Sequence, residues 1–226
     1  MKKLLVTLIG SFLISSAAYA GSFGFGVTGS FVQINGSGTE TTTAGTIAGG
    51  AANSNSRNVD NATGLASGYI EYSMDDASWA SNGFTLGASM TPGSAEISDA
   101  TLTRVETAQG ASSGTVTRKA QAEVDNLSNI YLEIPIWSAI YVKVGQSSID
   151  VTTKEAAVTG SGTYGNTSLD GQNFGIGVRG MSGNMVWKFA YEETDFDTLK
   201  LTSTTSNTVQ ADLDTEEVNF SIGYRF

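Results

Sequence analysis

The 226 residues include 27 glycines, two prolines, no cysteine and no histidine, and 12 basic against 22 acidic residues give a formal net charge of -10. That acidity excludes a nucleic-acid binder, because nothing offsets repulsion by phosphates. Without cysteine there is no disulfide framework, so stability must come from sheet hydrogen bonding and burial in some apolar medium.

The chain begins "MKKLLVTLIGSFLISSAAYA". Two lysines, an apolar stretch and the small-x-small triplet Ala18-Tyr19-Ala20 read as a secretory signal peptide over 1–20, cleaved between Ala20 and Gly21. The stretch is short for a bilayer-spanning anchor. Its removal takes Lys2 and Lys3 and no acid, moving the charge from -10 to -12. Residues 21–226 then form one domain.

From there a two-residue period recurs eight times, which predicts eight strands and an all-β fold. The first sets Phe23, Phe25, Val27 and Phe31 against Gly24, Gly26, Thr28 and Ser30. The second opposes Ile70, Tyr72 and Met74 to Tyr69, Glu71 and Ser73, and the third opposes Phe84, Leu86, Ala88 and Met90 to Thr85, Gly87 and Ser89. The fourth has Ile130, Leu132, Ile134 and Ile136 on its oily face, the fifth Ile140, Val142 and Val144, the sixth Phe174, Ile176 and Val178, and the seventh Trp187, Phe189 and Tyr191. The eighth is the final "EEVNFSIGYRF", with Val218, Phe220, Ile222, Tyr224 and Phe226 on one parity.

Oily faces turned inward would make a sandwich; turned outward to lipid they make a membrane barrel. The connections decide. They are short after strands two, four and six (75–82, around Trp137, and 180–184), and long and polar after the odd strands, as in "NGSGTETTTAGTIAGGAANSNSRNVDN". This asymmetry predicts an eight-stranded antiparallel up-and-down transmembrane β-barrel with short periplasmic turns and long extracellular loops or hairpins. Closure follows because a lipid-exposed edge leaves backbone groups unpaired. Phe23 to Phe31 covers roughly 26 Å along the strand, or about 20 Å vertically after tilting, close to the apolar band of such barrels. Ten strands would result if 35–61 held a further hairpin. The segments 101–124 and 197–213 alternate β-branched and polar residues around small-residue turns, which predicts hairpins projecting outside.

An aromatic girdle is expected at the short-turn end, from Phe23, Trp79, Phe84, Trp137, Trp187 and Phe226. Parity puts Glu71, Glu133, Lys143, Arg179, Lys188, Glu192 and Arg225 inside, with Tyr69, Tyr131 and Tyr141 filling a narrow interior. Opposite charges there should pair, since each is costly alone; the alternative is a charged lining for a narrow ion pathway. On the outer face Glu193, Asp195 and Asp197 should stand opposite Asp212, Asp214 and Glu216 around a turn near Thr205. Opposed like charges need screening by water or cations. Divalent cations bridging these acids to lipopolysaccharide phosphates are the sharper reading, and a solvated hairpin the plainer one.

The whole stretch after residue 20 resembles the small outer-membrane β-barrels of Gram-negative bacteria, of the OmpX, OmpA-barrel and opacity-protein type. The resemblance rests on the signal peptide, the eight strands, the loop asymmetry and the terminal "VNFSIGYRF". It implies localisation to the outer membrane of a Gram-negative bacterium. It also implies that Phe220, Ile222, Tyr224 and Phe226 serve as the signal read by the barrel assembly machinery, with periplasmic chaperones assisting. Outer-membrane lipid and lipopolysaccharide are the expected surroundings of a monomer, beside an extracellular ligand the sequence does not identify.

Catalytic motifs occur only as loop composition. "GASSG" at 110–114 fits a nucleophile elbow, but no histidine exists to serve as base. "GSGTYG" at 160–165 fits a dinucleotide fingerprint without a βαβ unit around it. No cofactor or metal is called for. The expectation is a non-enzymatic barrel with an ion-paired, largely occluded interior and an envelope-structural or surface-interaction role such as adhesion or defence. A small porin-like channel is the alternative.

Overall fold

The protein is described by a computed structural model over residues 21–42, 53–74, 83–97, 102–107, 115–155, 163–204 and 206–226. The expected leader, the whole turn 75–82 with Trp79, and the tip 110–114 lie outside these residues.

Ten strand segments follow one another: β1 Gly21–Thr42, β2 Asn53–Met74, β3 Thr85–Glu96, β4 Leu102–Thr107, β5 Thr115–Pro135, β6 Ile140–Glu155, β7 Thr167–Ser182, β8 Met185–Phe196, β9 Leu199–Thr202 and β10 Thr208–Arg225. Eight of them form an antiparallel ring, β1-β2-β3-β5-β6-β7-β8-β10, closed by β10 pairing back on β1. Among the described residues the short segments β4 and β9 pair with β5 and β10 alone. They continue β3 and β8 upward, so the expected projecting hairpins are present and the ring keeps eight strands. At the short-turn end Phe23 and Phe226 exchange backbone hydrogen bonds of 3.2 and 2.9 Å.

Two expectations need correction. The polar stretch 35–61, expected as a loop, is mostly strand: Asn35 pairs with Asp60 and Thr42 with Asn53. Its described part lengthens β1 and β2 and adds no further strand to the ring. Serine, threonine and asparagine wetted on both faces carry no hydrophobic period, so the alternation that marks the lower strands fades there. The same holds for β6 and β7, which run to Glu155 and start at Thr167, inside what reads as one long loop.

The oily face also changes sides. In the lower part of the ring it points out: Phe31 is 60% exposed and Ile70 66%. Further up it points in: Val32, Ile34, Ile149, Val151, Leu169, Phe196, Leu199 and Leu213 form a buried cluster inside the barrel. Burying one such side chain is worth about 1.5–3 kcal/mol. The upper barrel therefore folds as a water-soluble sheet does, around its own core, while the lower barrel presents its apolar side chains outward.

Bulges adjust this inversion. The register between β3 and β5 shifts at Thr91/Ser94 and that between β5 and β6 at Asp125/Ser128, with Gly93 at φ 103° and Asn126 at φ 55°. Between β8 and β9 three residues face two on β10, because Asp195 pairs with Asp214 but Leu199 pairs with Ala211. That extra residue returns Leu199 to the inner face beside Phe196. The ladder between β2 and β3 runs only from Ser73–Thr85 to Gly68–Met90, so it stops at the upper edge of the outward apolar band. Above it a side-chain bond from Asn61 to the Glu96 carbonyl, 2.8 Å, spans the two strands.

Candidate functional site

The distinctive chemistry of the barrel lies within its lower interior. Inward parity brings Glu71 from β2, Glu133 from β5, Lys143 from β6, Arg179 from β7, and Lys188 and Glu192 from β8 into one buried layer. Lys188 reaches across the ring and donates to Glu133 Oε1 at 2.6 Å and to Glu71. Arg179 Nη1 donates to Glu133 Oε2 at 3.2 Å and to Thr85 Oγ1 at 3.0 Å, while its Nη2 reaches the Gly83 carbonyl at 3.1 Å. The Tyr131 hydroxyl donates to Glu71 at 2.7 Å, and Lys143 donates to Glu192 at 2.7 Å.

Aromatic rings complete the layer. Lys143 sits 4.1 Å from the Tyr131 ring centre and Lys188 5.3 Å from that of Tyr69, both on the negative face of the ring. Room for the rings comes from facing glycines. A Cβ on Gly87 would lie 2.6 Å from the Tyr131 hydroxyl oxygen and closer still to its ring, and one on Gly177 would meet Tyr141 at 2.5 Å. Such an arrangement pairs charge and packs aromatic area across the lower interior.

Arg225 does not join this layer. It shares the inward parity but is the last residue paired with β1, opposite Gly24 at the short-turn mouth, where its guanidinium lies 3.5 Å from Met181 Sδ. Of the expected girdle, Phe23, Trp137, Trp187 and Phe226 are exposed at the short-turn end and Phe84 is half-buried. Phe220, Ile222, Tyr224 and Phe226 occupy the outer face of β10, with Phe226 packed edge-on to Phe25 at 6.3 Å.

This outward band of Phe, Ile, Val and Trp, closed into a ring and lined by buried ion pairs, inverts the arrangement of a soluble domain. Its fold is that of the small outer-membrane β-barrels. No protein-family model and no curated protein matches the chain. Solved structures do. Outer membrane protein OprG from Pseudomonas aeruginosa aligns at 13% identity over 92% of this chain and 97% of that one, with a TM-score of 0.47. Ail, the attachment invasion locus protein of Yersinia pestis, in complex with the heparin analogue sucrose octasulfate, aligns at 12% identity over 88% and 99%, TM-score 0.41. Outer membrane protease OmpT from Escherichia coli aligns at 8% identity over 91% and 97%, TM-score 0.45. At such values the assignment of the fold rests on the barrel's own geometry.

Above the band the outer face is acidic. Asp195 stands opposite Asp214 and Glu193 opposite Glu216. The Tyr191 hydroxyl lies between the last two, 2.9 Å from Glu193 and 3.1 Å from Glu216. The third expected pair does not form. The bulge separates Asp197, whose amide bonds the Asp170 carbonyl at 2.8 Å, from Asp212, whose carboxylate accepts from Thr198 at 2.7 Å. Among the described residues no three acidic, histidine or cysteine side chains are grouped to hold a metal ion. Between β5 and β6, Lys154 donates to Glu123; that bond holds the Glu123 carboxyl below its ordinary range and raises Lys154.

The inward charges expected from the sequence leave out one inward carboxylate. Glu217 lies on the inner face of β10, two residues from buried Asn219. Its signal in the sequence is the odd-numbered parity it shares with Asn219 and Ser221.

Proposed function

We propose that the chain is a non-enzymatic integral protein of the Gram-negative outer membrane, with an occluded interior and a role carried by its polar upper barrel and hairpins. One observation carries this reading: the interior is filled twice, by Lys188 held between Glu71 and Glu133 and by the apolar cluster of Val32, Ile34, Ile149 and Leu213 above it. A hydrated ion moving along the axis would have to displace both. From Val32 to Thr42, β1 continues past the apolar band for roughly 35 Å along the strand. A structure of that reach presents surface to the medium, which suits contact with other surfaces or reinforcement of the envelope.

The deciding experiment is single-channel recording of the refolded chain in a planar bilayer, with Lys143→Ala and Arg179→Ala variants beside it. A silent bilayer with demonstrably folded protein is expected. Steady openings altered by those substitutions would replace this reading with a porin-like channel.

A further inference from the structure

Two bulges meet on the outer wall above the apolar band. The register shifts at Thr91/Ser94 and at Asp125/Ser128 fall on the two sides of β5 at one level, and Gly93 and Asn126 from these bulges line a single groove of about 490 Å³. Bulges bend a strand, re-aim its side chains and gather beside functional sites. The volume lies within the range of small-molecule sites, about 300–1,000 Å³. Asp150 and Ser168, which also line the groove, stand six residues beyond Val144 and Phe174, the last exposed apolar residues of β6 and β7. That is roughly 20 Å along the strands, well clear of hydrocarbon.

The lining is almost wholly polar. One row crosses it from strand to strand: Ser94 of β3 opposite Asp125 of β5, Asp125 opposite Asp150 of β6, and Asp150 opposite Ser168 of β7. The hydroxyl protons nearest the aspartates are committed. Thr152 donates to Asp125 Oδ2 at 2.9 Å and Ser168 to Asp150 Oδ1 at 2.7 Å. Both hydroxyl oxygens and Asp125 Oδ1 therefore remain as acceptors. A donor comes from Asn166. Its side-chain oxygen accepts from the Thr153 amide at 3.1 Å, which fixes its orientation, and its amino group has no partner among the described residues. No lysine or arginine is among the described residues that line the groove.

We infer that this groove is a binding site for a neutral saccharide. A hydroxyl donates and accepts from one atom. A sugar can therefore give protons to Asp125 and to the Thr152 and Ser168 oxygens while taking one from the Asn166 amino group. Other classes of ligand each fail in one respect. A phosphate, a sulfate or an acidic sugar meets two carboxylates and no cation. An ammonium group offers the Asn166 amino group no acceptor. An apolar molecule would cover the polar lining without supplying partners. For a metal ion, no third acidic, histidine or cysteine side chain among the described residues joins the two aspartates. The inference rests on the reading that the upper barrel carries the protein's role, and it gives that surface a ligand class.

The test is saturation-transfer NMR on the refolded chain in phosphatidylcholine vesicles. Maltotriose, lactose, mannotriose and chitotriose serve as neutral probes and sucrose octasulfate as the charged one. The expected result is a signal from at least one neutral probe and none from the octasulfate. Asp125→Asn should weaken that binding about tenfold, the worth of one hydrogen bond to a charged group. Asn166→Ala should weaken it severalfold, and Asp195→Asn, on β8 outside the groove, should leave it unchanged. Should Asp125→Asn fail to refold, Asn166→Ala and Ser168→Ala carry the same comparison. Adding lipopolysaccharide to the vesicles separates the sources: a lost signal assigns the groove to sugars of the surrounding membrane, and a retained one to sugars arriving from the medium. Silence from every neutral probe, binding of the octasulfate instead, or equal binding by the groove variants would overturn the assignment. Conductance reads the proposed function separately, so a barrel that opens steadily and still binds sugar loses only that reading.

Discussion

Lys188 Nζ stands 2.6 Å from Glu133 Oε1, a bond that joins opposite walls of the ring, from β8 to β5. Because Lys188 also donates to Glu71, its removal leaves two carboxylates facing each other out of water. Breaking a buried pair on one side costs about 3–5 kcal/mol. Lys188→Met should lower the unfolding free energy in lipid vesicles by that amount. Restoration is expected in a triple variant that also carries Glu71→Gln and Glu133→Gln. A Lys188→Met protein as stable as the unaltered chain would show that the layer contributes nothing to the fold.

Gly87 and Tyr131 form a second dependence. The three nearest atoms to a Cβ at position 87 belong to the Tyr131 side chain, which is buried. Overpacking of this kind costs about 1–3 kcal/mol. Gly87→Ala should be destabilising by itself and much less so on a Tyr131→Leu background, giving a coupling energy in a double-mutant cycle. Additive effects would mean that the ring has room to move aside.

The inversion of the oily face predicts opposite responses on one strand pair. Phe220 lies on the outer face of β10 opposite Phe189, within the band, and Phe220→Arg should cost about 2–4 kcal/mol. Asp195 lies on the same outer face above it. Asp195→Arg should stay within about 0.5 kcal/mol or stabilise, since it relieves the opposition to Asp214. Inside the upper barrel Ile149→Ala should cost about 2–5 kcal/mol. Equilibrium unfolding of the three variants checks the set.

Glu123 offers a pH-dependent reading outside the band. Its carboxyl is held low by the bond from Lys154, so the folded chain binds that proton less readily than the unfolded one. The contribution to stability is therefore present at neutral pH and is lost as pH falls through the lowered value. Because Lys154 projects into solvent, the effect on stability is small. A carbon-13 titration of the Glu123 carboxyl should show a midpoint below that of a free glutamate, returning upward in Lys154→Met.

Much of this architecture is legible in the sequence wherever one face of a strand meets oil. Phe23 to Phe31 and Val218 to Phe226 announce both their strand and their outward face. The inner charges follow by parity alone, since Glu133 and Lys143 must oppose Ile134 and Val142. Two things escape. Asn35 to Thr41 and Ser54 to Asp60 lie in strands that are polar on both sides and show no contrast between faces. The bulge at Asn126 shifts β5 by one residue, so that Val124 joins the core from a position that simple alternation assigns outward. A period of two carries no information across an inserted residue. Arg225 fails for a related reason: parity gives the face of the strand but not the depth at which the barrel ends.

The ladder between β2 and β3 ends at Gly68 and Met90, level with the top of the outward band. Below that point the wall is a closed cylinder, and above it, among the described residues, the cylinder is slit. Hydrocarbon reaching the slit would meet backbone groups with no partner, each costing several kcal/mol. The slit thus sets a ceiling on the membrane this protein can inhabit. A thin bilayer leaves it in water, whereas a thicker one must either pinch down around the barrel or force the two strands to zip together.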